Sequence, residues 1–225
     1  MKSICSLVFA LTVRICAGQD STLQKIRAPL WTFHESGTKT FGLNFGVLGN
    51  DDWARNVTTV GARVEAPGIG LFLFLVPYLP IPKDSAEFAA DSAHQLVERI
   101  HGLNLSPLGS ACDCSLNGIN VSGGGTWFYR TNGVSASWAI NGAVIHNGVQ
   151  IAGWTQAYRM NGLQLSIMGA GAIEIRGVQI AAETGAKRMV GVQIGLYNRA
   201  ENLKGLQIGL WNVNQKRKLP FFNWA

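Results

Sequence analysis

Charge is scarce in this chain: 14% of its 225 residues are charged, 13 acidic against 19 basic, for a formal net charge of +6. So low a content, beside 27 glycines and 47% hydrophobic residues, argues against a disordered acidic or basic chain and suits many short strands and turns. The few carboxylates are scattered, and no two stand where they would nominate the acid and base of a glycoside hydrolase. Histidine is equally sparse: His34, His94, His101 and His146 show no ligand spacing, so no zinc-type site can be named. There is no HExxH, no GxSxG elbow and no phosphate-cradling glycine loop closed by lysine; Gly123-Gly124-Gly125-Thr126 reads as a turn-rich insertion. With no catalytic, cofactor-binding or metal-ligating residue to nominate, the chain reads as a non-enzyme without a cofactor.

Apolar runs long enough for a bilayer are also missing. The run from Ile4 to Ile15 is too short, and it lies between Lys2 and the small residues Cys16-Ala17-Gly18. That pattern predicts a secretory signal over residues 1–18, cleaved before Gln19, and an exported protein of the periplasm, outer membrane or cell surface. Arg14 interrupts the run near its end, and a membrane anchor or a buried strand is the rival reading. Cleavage removes Lys2 and Arg14 and lowers the formal charge from +6 to +4. The charge balance is mild, and the visible basic cluster, Lys216-Arg217-Lys218, could touch anionic lipid, polysaccharide or nucleic acid but reads as a solvated cap, so a nucleic-acid partner is not expected. Of four cysteines, Cys112 and Cys114 survive processing, as free or mutually paired thiols.

What the chain has in abundance is repetition. A glycine, an apolar residue, a polar one and usually another apolar one recur every 14 to 16 residues: GLNL at Gly102, GINV at Gly118, GVSA at Gly133, GVQI at Gly148, GLQL at Gly162, GVQI at Gly177, GVQI at Gly191 and GLQI at Gly205. A unit this short cannot bury its own apolar side, so copies must stack. The expected fold is all-β, a short-period parallel β-solenoid of 14–16 residues per coil with one amphipathic helix as cap or insertion. Strand alternation puts Val192, Ile194 and Leu196 on one face and Gln193, Gly195 and Tyr197 on the other, and the aliphatic set is expected to meet inside.

The polar third positions then form a column: Asn104, Asn120, Ser135, Gln150, Gln164, Gln179, Gln193 and Gln207. Their side chains can hydrogen-bond along the stack as a structural ladder. Two residues before the glycines stand Leu116, Met160, Ile175, Met189 and Leu203, with Thr131 and His146 as exceptions, and these should turn the chain back into the core. Asparagine before glycine at Asn117, Asn132, Asn147 and Asn161 suits a tight corner. Eight coils would make a rod on the order of 35 to 40 Å long. An antiparallel outer-membrane β-barrel is the rival architecture, because 14 residues could form a spanning strand and a turn. The constant interval and the glycine at every opening favour the solenoid.

Residues 19–101 form the expected N-terminal β region, and 102–225 the repeats with a C-terminal cap. GLNFGVLGN from Gly42 and GARVEAPGIG from Gly61 resemble degenerate coils, and LFLFLVPYLPIP over 71–82 is a proline-broken apolar segment. Phe88, Ala89, Ala93, Leu96, Val97 and Ile100 fall at spacings of three and four, which predicts an amphipathic helix over about 83–100 with Asp84 or Ser85 as its cap.

The last copies, GVQIGLYNRAENLKGLQIGLWNVN followed by LPFFNWA, resemble the bacterial surface-repeat proteins, whose Gly-Φ-Gln-Φ-Gly-Leu-x-Asn units (Φ apolar) close with Leu-Pro-Phe-x-Asn-Trp. The likeness covers about Gly191 to Ala225, and more loosely the copies at Gly102 and Gly118. It implies an exported or outer-surface β-repeat protein and carries over no catalytic residue. From the residues themselves, Leu219, Phe221, Phe222 and Trp224 should lid the last coil. The expected function is a structural or interaction surface in the cell envelope, its partner a cell-surface glycan, an envelope component or another protein. A carbohydrate- or surface-binding module is the alternative, with Trp127, Tyr129, Trp138, Trp154, Tyr158, Tyr197 and Trp211 as stacking platforms wherever they face solvent.

Overall fold

The computed structural model describes residues 24–47, 56–75, 79–91 and 96–225, and the signal read over 1–18 lies outside them. Among the described residues, eleven strands make one sheet. β1 (Lys25–Arg27) and β2 (Leu30–Thr32) both pair with β3 (Thr38–Gly46). Then follow β4 (Val57–Glu65), β5 (Glu98–Ser106), β6 (Gly109–Ser122), β7 (Gly125–Ser137), β8 (Ile140–Ile180), β9 (Glu183–Ile194), β10 (Tyr197–Val213) and β11 (Lys218–Trp224), each paired with the next from β3 onward. β8 is 41 residues long and carries three repeat glycines, Gly148, Gly162 and Gly177. Between successive strands from β3 to β10 every pairing is parallel, and glycine stands on glycine: Gly42 on Gly61, Gly61 on Gly102, Gly102 on Gly118, Gly118 on Gly133, Gly133 on Gly148, Gly177 on Gly191 and Gly191 on Gly205. The chain is a parallel β-solenoid, and the antiparallel barrel is overturned.

Glycine is obligatory in that column because backbones approach there. At Gly191 φ is +135°, a region closed to L side chains, and a Cβ would collide with the carbonyl oxygen of Gly177 one coil earlier. Only β11 is antiparallel among the strands from β3 onward; it sets Trp224 beside Leu206 and Phe222 beside Ile208, and covers the edge of β10.

The helix expected over about 83–100 is much shorter. α1 is Ser85–Ala90, capped at Asp84, whose Oδ1 accepts from the N–H groups of Ala86 and Glu87 at 2.9 Å each. Residues 92–95 of the expected helix lie outside the described residues. From Glu98 the chain is already β5, and the helical spacing of Leu96, Val97 and Ile100 reflects re-entry into the stack, where Val97 and Ile100 are buried and period-two alternation takes over. β5 runs through residue 102, so the expected division at that point falls within a strand. The 3-10 turn Gly70–Phe74 and α1 belong instead to a strap laid over β7 and β8: Leu73 packs with Trp127, Tyr129, Val144 and Tyr158, and the Phe88 ring stacks on Tyr158 at 4.3 Å.

A larger revision concerns which face is inward. The glutamines point in, and the aliphatic residues flanking them point out. Alternation separates two faces of a strand without saying which one a coil encloses, and stacked amides satisfy one another only where copies meet in register and water is excluded. The apolar core comes from elsewhere in each coil: Met160, Ile175, Met189 and Leu203, two places before the glycines, packed on Ala157, Ala172, Ala186 and Ala200. Cys112 and Cys114 are joined in a disulfide with Cα atoms 5.1 Å apart, at a bulge where β6 has one residue more than β7.

Candidate interaction surface

All eight ladder residues are fully buried. Gln207, Gln193, Gln179 and Gln164 each donate from Nε2 to the Oε1 of the glutamine one coil earlier, at 2.8, 2.8, 2.8 and 2.9 Å, ending on Gln150. Asn223 of β11 adds a rung, donating to Gln207 Oε1 at 3.1 Å. From the other end the sense reverses. Arg63 donates to Asn104 Oδ1 (2.9 Å), Asn104 to Asn120 Oδ1 (2.7 Å) and Asn120 to Ser135 Oγ (3.1 Å). The two runs meet at Asn141, which donates to Ser135 Oγ (2.8 Å) while its backbone carbonyl accepts from Gln150 Nε2 (3.0 Å).

A second inner column was not anticipated: polar residues seven or eight places after the glycines, among them Ser110, Thr126, Thr184, Asn198 and Asn212, also point inward. Thr184 donates to Asn198 Oδ1 at 2.6 Å, and Asn198 to Asn212 Oδ1 at 2.7 Å. Arg63, likewise unanticipated, fills the ladder place in its coil. It pairs with Glu65 (2.8 Å) and Glu98 (3.0 Å) over the Phe33 ring. Burial alone would lower the pKa of this guanidinium, but the Glu98 and Glu65 carboxylates outweigh that and leave it raised. These groups hold coils together and face no solvent.

Because amides line the inside, their neighbours make an outer face. Ile119 and Val121, Val134 and Ala136, Val149 and Ile151, Leu163 and Leu165, Val178 and Ile180, Val192 and Ile194, and Leu206 and Ile208 stand in two columns along the rod, none of them buried. Leu43 with Phe45, Ala62 with Val64, and Leu103 with Leu105 extend the columns at one end, and Trp224 with Phe222 at the other. No charged residue falls in either column. Ten coils at strand spacing carry this face over roughly 45 Å. Near its C-terminal end lies a cleft of about 550 Å³ lined by Ile194, Leu196, Ile208, Leu210, Phe221 and Phe222 among others, every one apolar or glycine.

The face has two different long borders. One is the corner after the second aliphatic residue, where Trp138 (79% exposed), Trp154, Ile167, Met168, Leu196, Tyr197, Leu210 and Trp211 are exposed. The other is the residue before each glycine. There Asn132 donates to Asn117 Oδ1, Asn147 to Asn132 Oδ1 and Asn161 to Asn147 Oδ1, at 2.7, 2.7 and 2.8 Å, an outer amide ladder in place of mere corner chemistry. Arg176, Val190 and Lys204 continue that border, all exposed.

Of the seven candidate stacking aromatics, Trp138, Trp154, Tyr197 and Trp211 share the exposed corner, whereas Trp127 (7% exposed), Tyr129 and Tyr158 (1%) are buried. The strap residues Leu73 and Phe88 pack on that buried group, so these three are packing residues and no platform. Burial, and then the Asp91 side chain, pushes the Tyr129 phenol up to about 12, and its hydroxyl donates to the Asp91 backbone carbonyl at 3.3 Å. The strap also leaves a groove of about 570 Å³ between Leu79, Ile81 and Pro82 and the Ala157, Ala172 and Ala186 row, bridged where Lys187 Nζ donates to the Lys83 carbonyl at 2.8 Å. Glu174 holds Arg159 (3.1 Å) and Arg188 on the coil exterior. Among the described residues no three His, Cys, Asp or Glu side chains cluster as metal ligands would. Compared with models of known protein families, with curated proteins and with solved structures, the chain has no match.

Proposed function

We propose that this chain is a non-catalytic, exported β-solenoid of the cell envelope whose outer aliphatic face is its working surface. The observation that carries this reading is the inverted sheet, with buried amides backing two uncharged apolar columns, mostly Val, Leu and Ile, that no described segment covers. The same chain does cover the neighbouring apolar group at Trp127 and Tyr158 with its own strap. Contiguous apolar surface of this extent marks a contact site in soluble proteins. Each 100 Å² of it removed from water is worth about 2.5 kcal/mol. The signal pattern over residues 1–18 and the surface-repeat likeness of Gly191 to Ala225 support an envelope location.

Fractionation of cells producing the chain tests the reading. The protein is expected in the envelope fraction, released by detergent, and shifted to the soluble fraction by Ile119→Asp with Ile194→Asp. A protein recovered soluble whether or not the face carries those charges would refute it. The surface-binding alternative keeps one supporting observation, the exposed Trp138, Trp154, Tyr197 and Trp211 along a single corner. Glycan-array binding that is lost in Trp154→Ala and retained in Ile194→Asp would favour it.

A further inference from the structure

Resting on the reading of the aliphatic face as an interaction surface, we infer that its partner is an anionic lipid bilayer, on which the rod lies lengthwise with one layer of side chains immersed. Four features converge. The sheet is polar inside and apolar outside, the alternation of a strand whose solvent is hydrocarbon. Its backbone groups are satisfied coil to coil by parallel pairing, as a lipid-facing sheet requires. One border carries tryptophan and tyrosine, whose amphipathic rings sit at headgroup depth.

The fourth feature is positive charge. Arg176 and Lys204 stand on the opposite border, and Lys216, Arg217 and Lys218 lie in and beside the hairpin turn that joins β10 to β11, with Arg217 stacked over Trp224 at 4.2 Å. Cations at the rim of an apolar face meet phosphate groups when that face enters a membrane. The apolar cleft floored by Gly195 and Gly209 and walled by Phe221 and Phe222 offers a place for an acyl chain. A second copy of the chain could cover the same aliphatics, but it would give neither the aromatic border nor the cationic rim a counterpart.

Vesicle flotation tests this, using the full chain, phosphatidylcholine vesicles and the same vesicles with about 30% phosphatidylglycerol. Wild type is expected to float with both, several-fold more tightly with the anionic lipid, and less so in high salt. Ile119→Asp, Leu165→Asp and Ile194→Asp together should lower partitioning at least about tenfold. The corresponding triple threonine chain, which keeps β-branched strand residues, should lose several-fold and retain the wild-type melting profile. Residues 1–18 are the same in all three chains, so the differences report the face. Quenching of tryptophan fluorescence by brominated lipid should fall in Trp138→Phe with Trp154→Phe.

Vesicles left unbound by wild type, or bound equally by all three chains, would overturn the inference. So would light scattering that finds a wild-type dimer, split by the aspartates and indifferent to vesicles. That last result makes a second copy the partner and leaves the interaction-surface reading standing, whereas loss of envelope association in cells removes both.

Discussion

His146 gives the array an acid-labile point whose size can be worked out. It occupies the inward position two before Gly148, beside Thr131 in the preceding coil, and neither ring nitrogen has a hydrogen-bond partner. Burial pushes the imidazole down to about 4, against a smaller opposing pull from the Val149 backbone. The folded state therefore keeps the ring neutral while the unfolded chain takes up a proton near pH 6.5. Stability from this residue is complete above the unfolded value and is lost as pH falls towards the folded one. The separation between the two values sets a ceiling of about 3 kcal/mol. Titration of the two states gives a loss of about 1 kcal/mol by pH 5.5 and most of that ceiling by pH 4. Carboxylates titrate in the same range, so the informative quantity is a difference. His146→Met carries the residue that the same column holds at Met160 and Met189. Urea denaturation of both proteins at about pH 7.5, 5.5 and 4 should show the variant gaining on wild type by those amounts. A stability difference that stays constant with pH to within about 0.5 kcal/mol would refute the reasoning.

Gly191→Ala should lose about 4 kcal/mol or fail to fold, because the new Cβ meets Gly177 backbone at positive φ. Gly185→Ala, with nothing within 4 Å of the added atom and ordinary φ, should melt within about 0.5 kcal/mol of wild type. Gln193→Leu leaves Gln207 Nε2 without its partner on Gln193 and Gln179 Oε1 without a donor, and should cost about 2–4 kcal/mol in thermal or urea unfolding. Adding Gln179→Leu should cost less than a second full increment, because the two share a bond. Arg63→Met strands Glu65 and Glu98 in the interior, with an expected loss of about 3–5 kcal/mol by urea unfolding. Glu65→Gln and Glu98→Gln added to it should restore most of that loss.

The period, the glycine column and the ladder are legible in the chain because stacking in register imposes one constraint on every coil. No residue but glycine fits at Gly177 or Gly191, and an amide at Gln179 needs another at Gln193. Sidedness is not legible, since Val192 and Gln193 alternate identically whichever of them the coil encloses. Hydrophobicity misleads there because the core draws on Met189 and Ala186, while Ile194 is left outside. Burial of Trp127, Tyr129 and Tyr158 depends on a strap more than thirty residues earlier in the chain, and no local pattern reports a contact at that distance. Short helical spacing at Leu96, Val97 and Ile100 is likewise ambiguous, because a corner followed by a strand produces the same intervals.

The outer face and its lining follow from one side of the ladder, but the ladder also has a direction, and that sets where the rod can change length. Between Gln150 and Gln207 a whole coil could be excised or duplicated, since each glutamine would still donate to a glutamine of the same sense. Through Ser135 and Asn141 it could not, because that one coil receives protons from both directions and has no equivalent elsewhere in the chain's described rungs. Copy number is thus free to drift on the glutamine side, while the segment around Asn141 is a single irreplaceable joint.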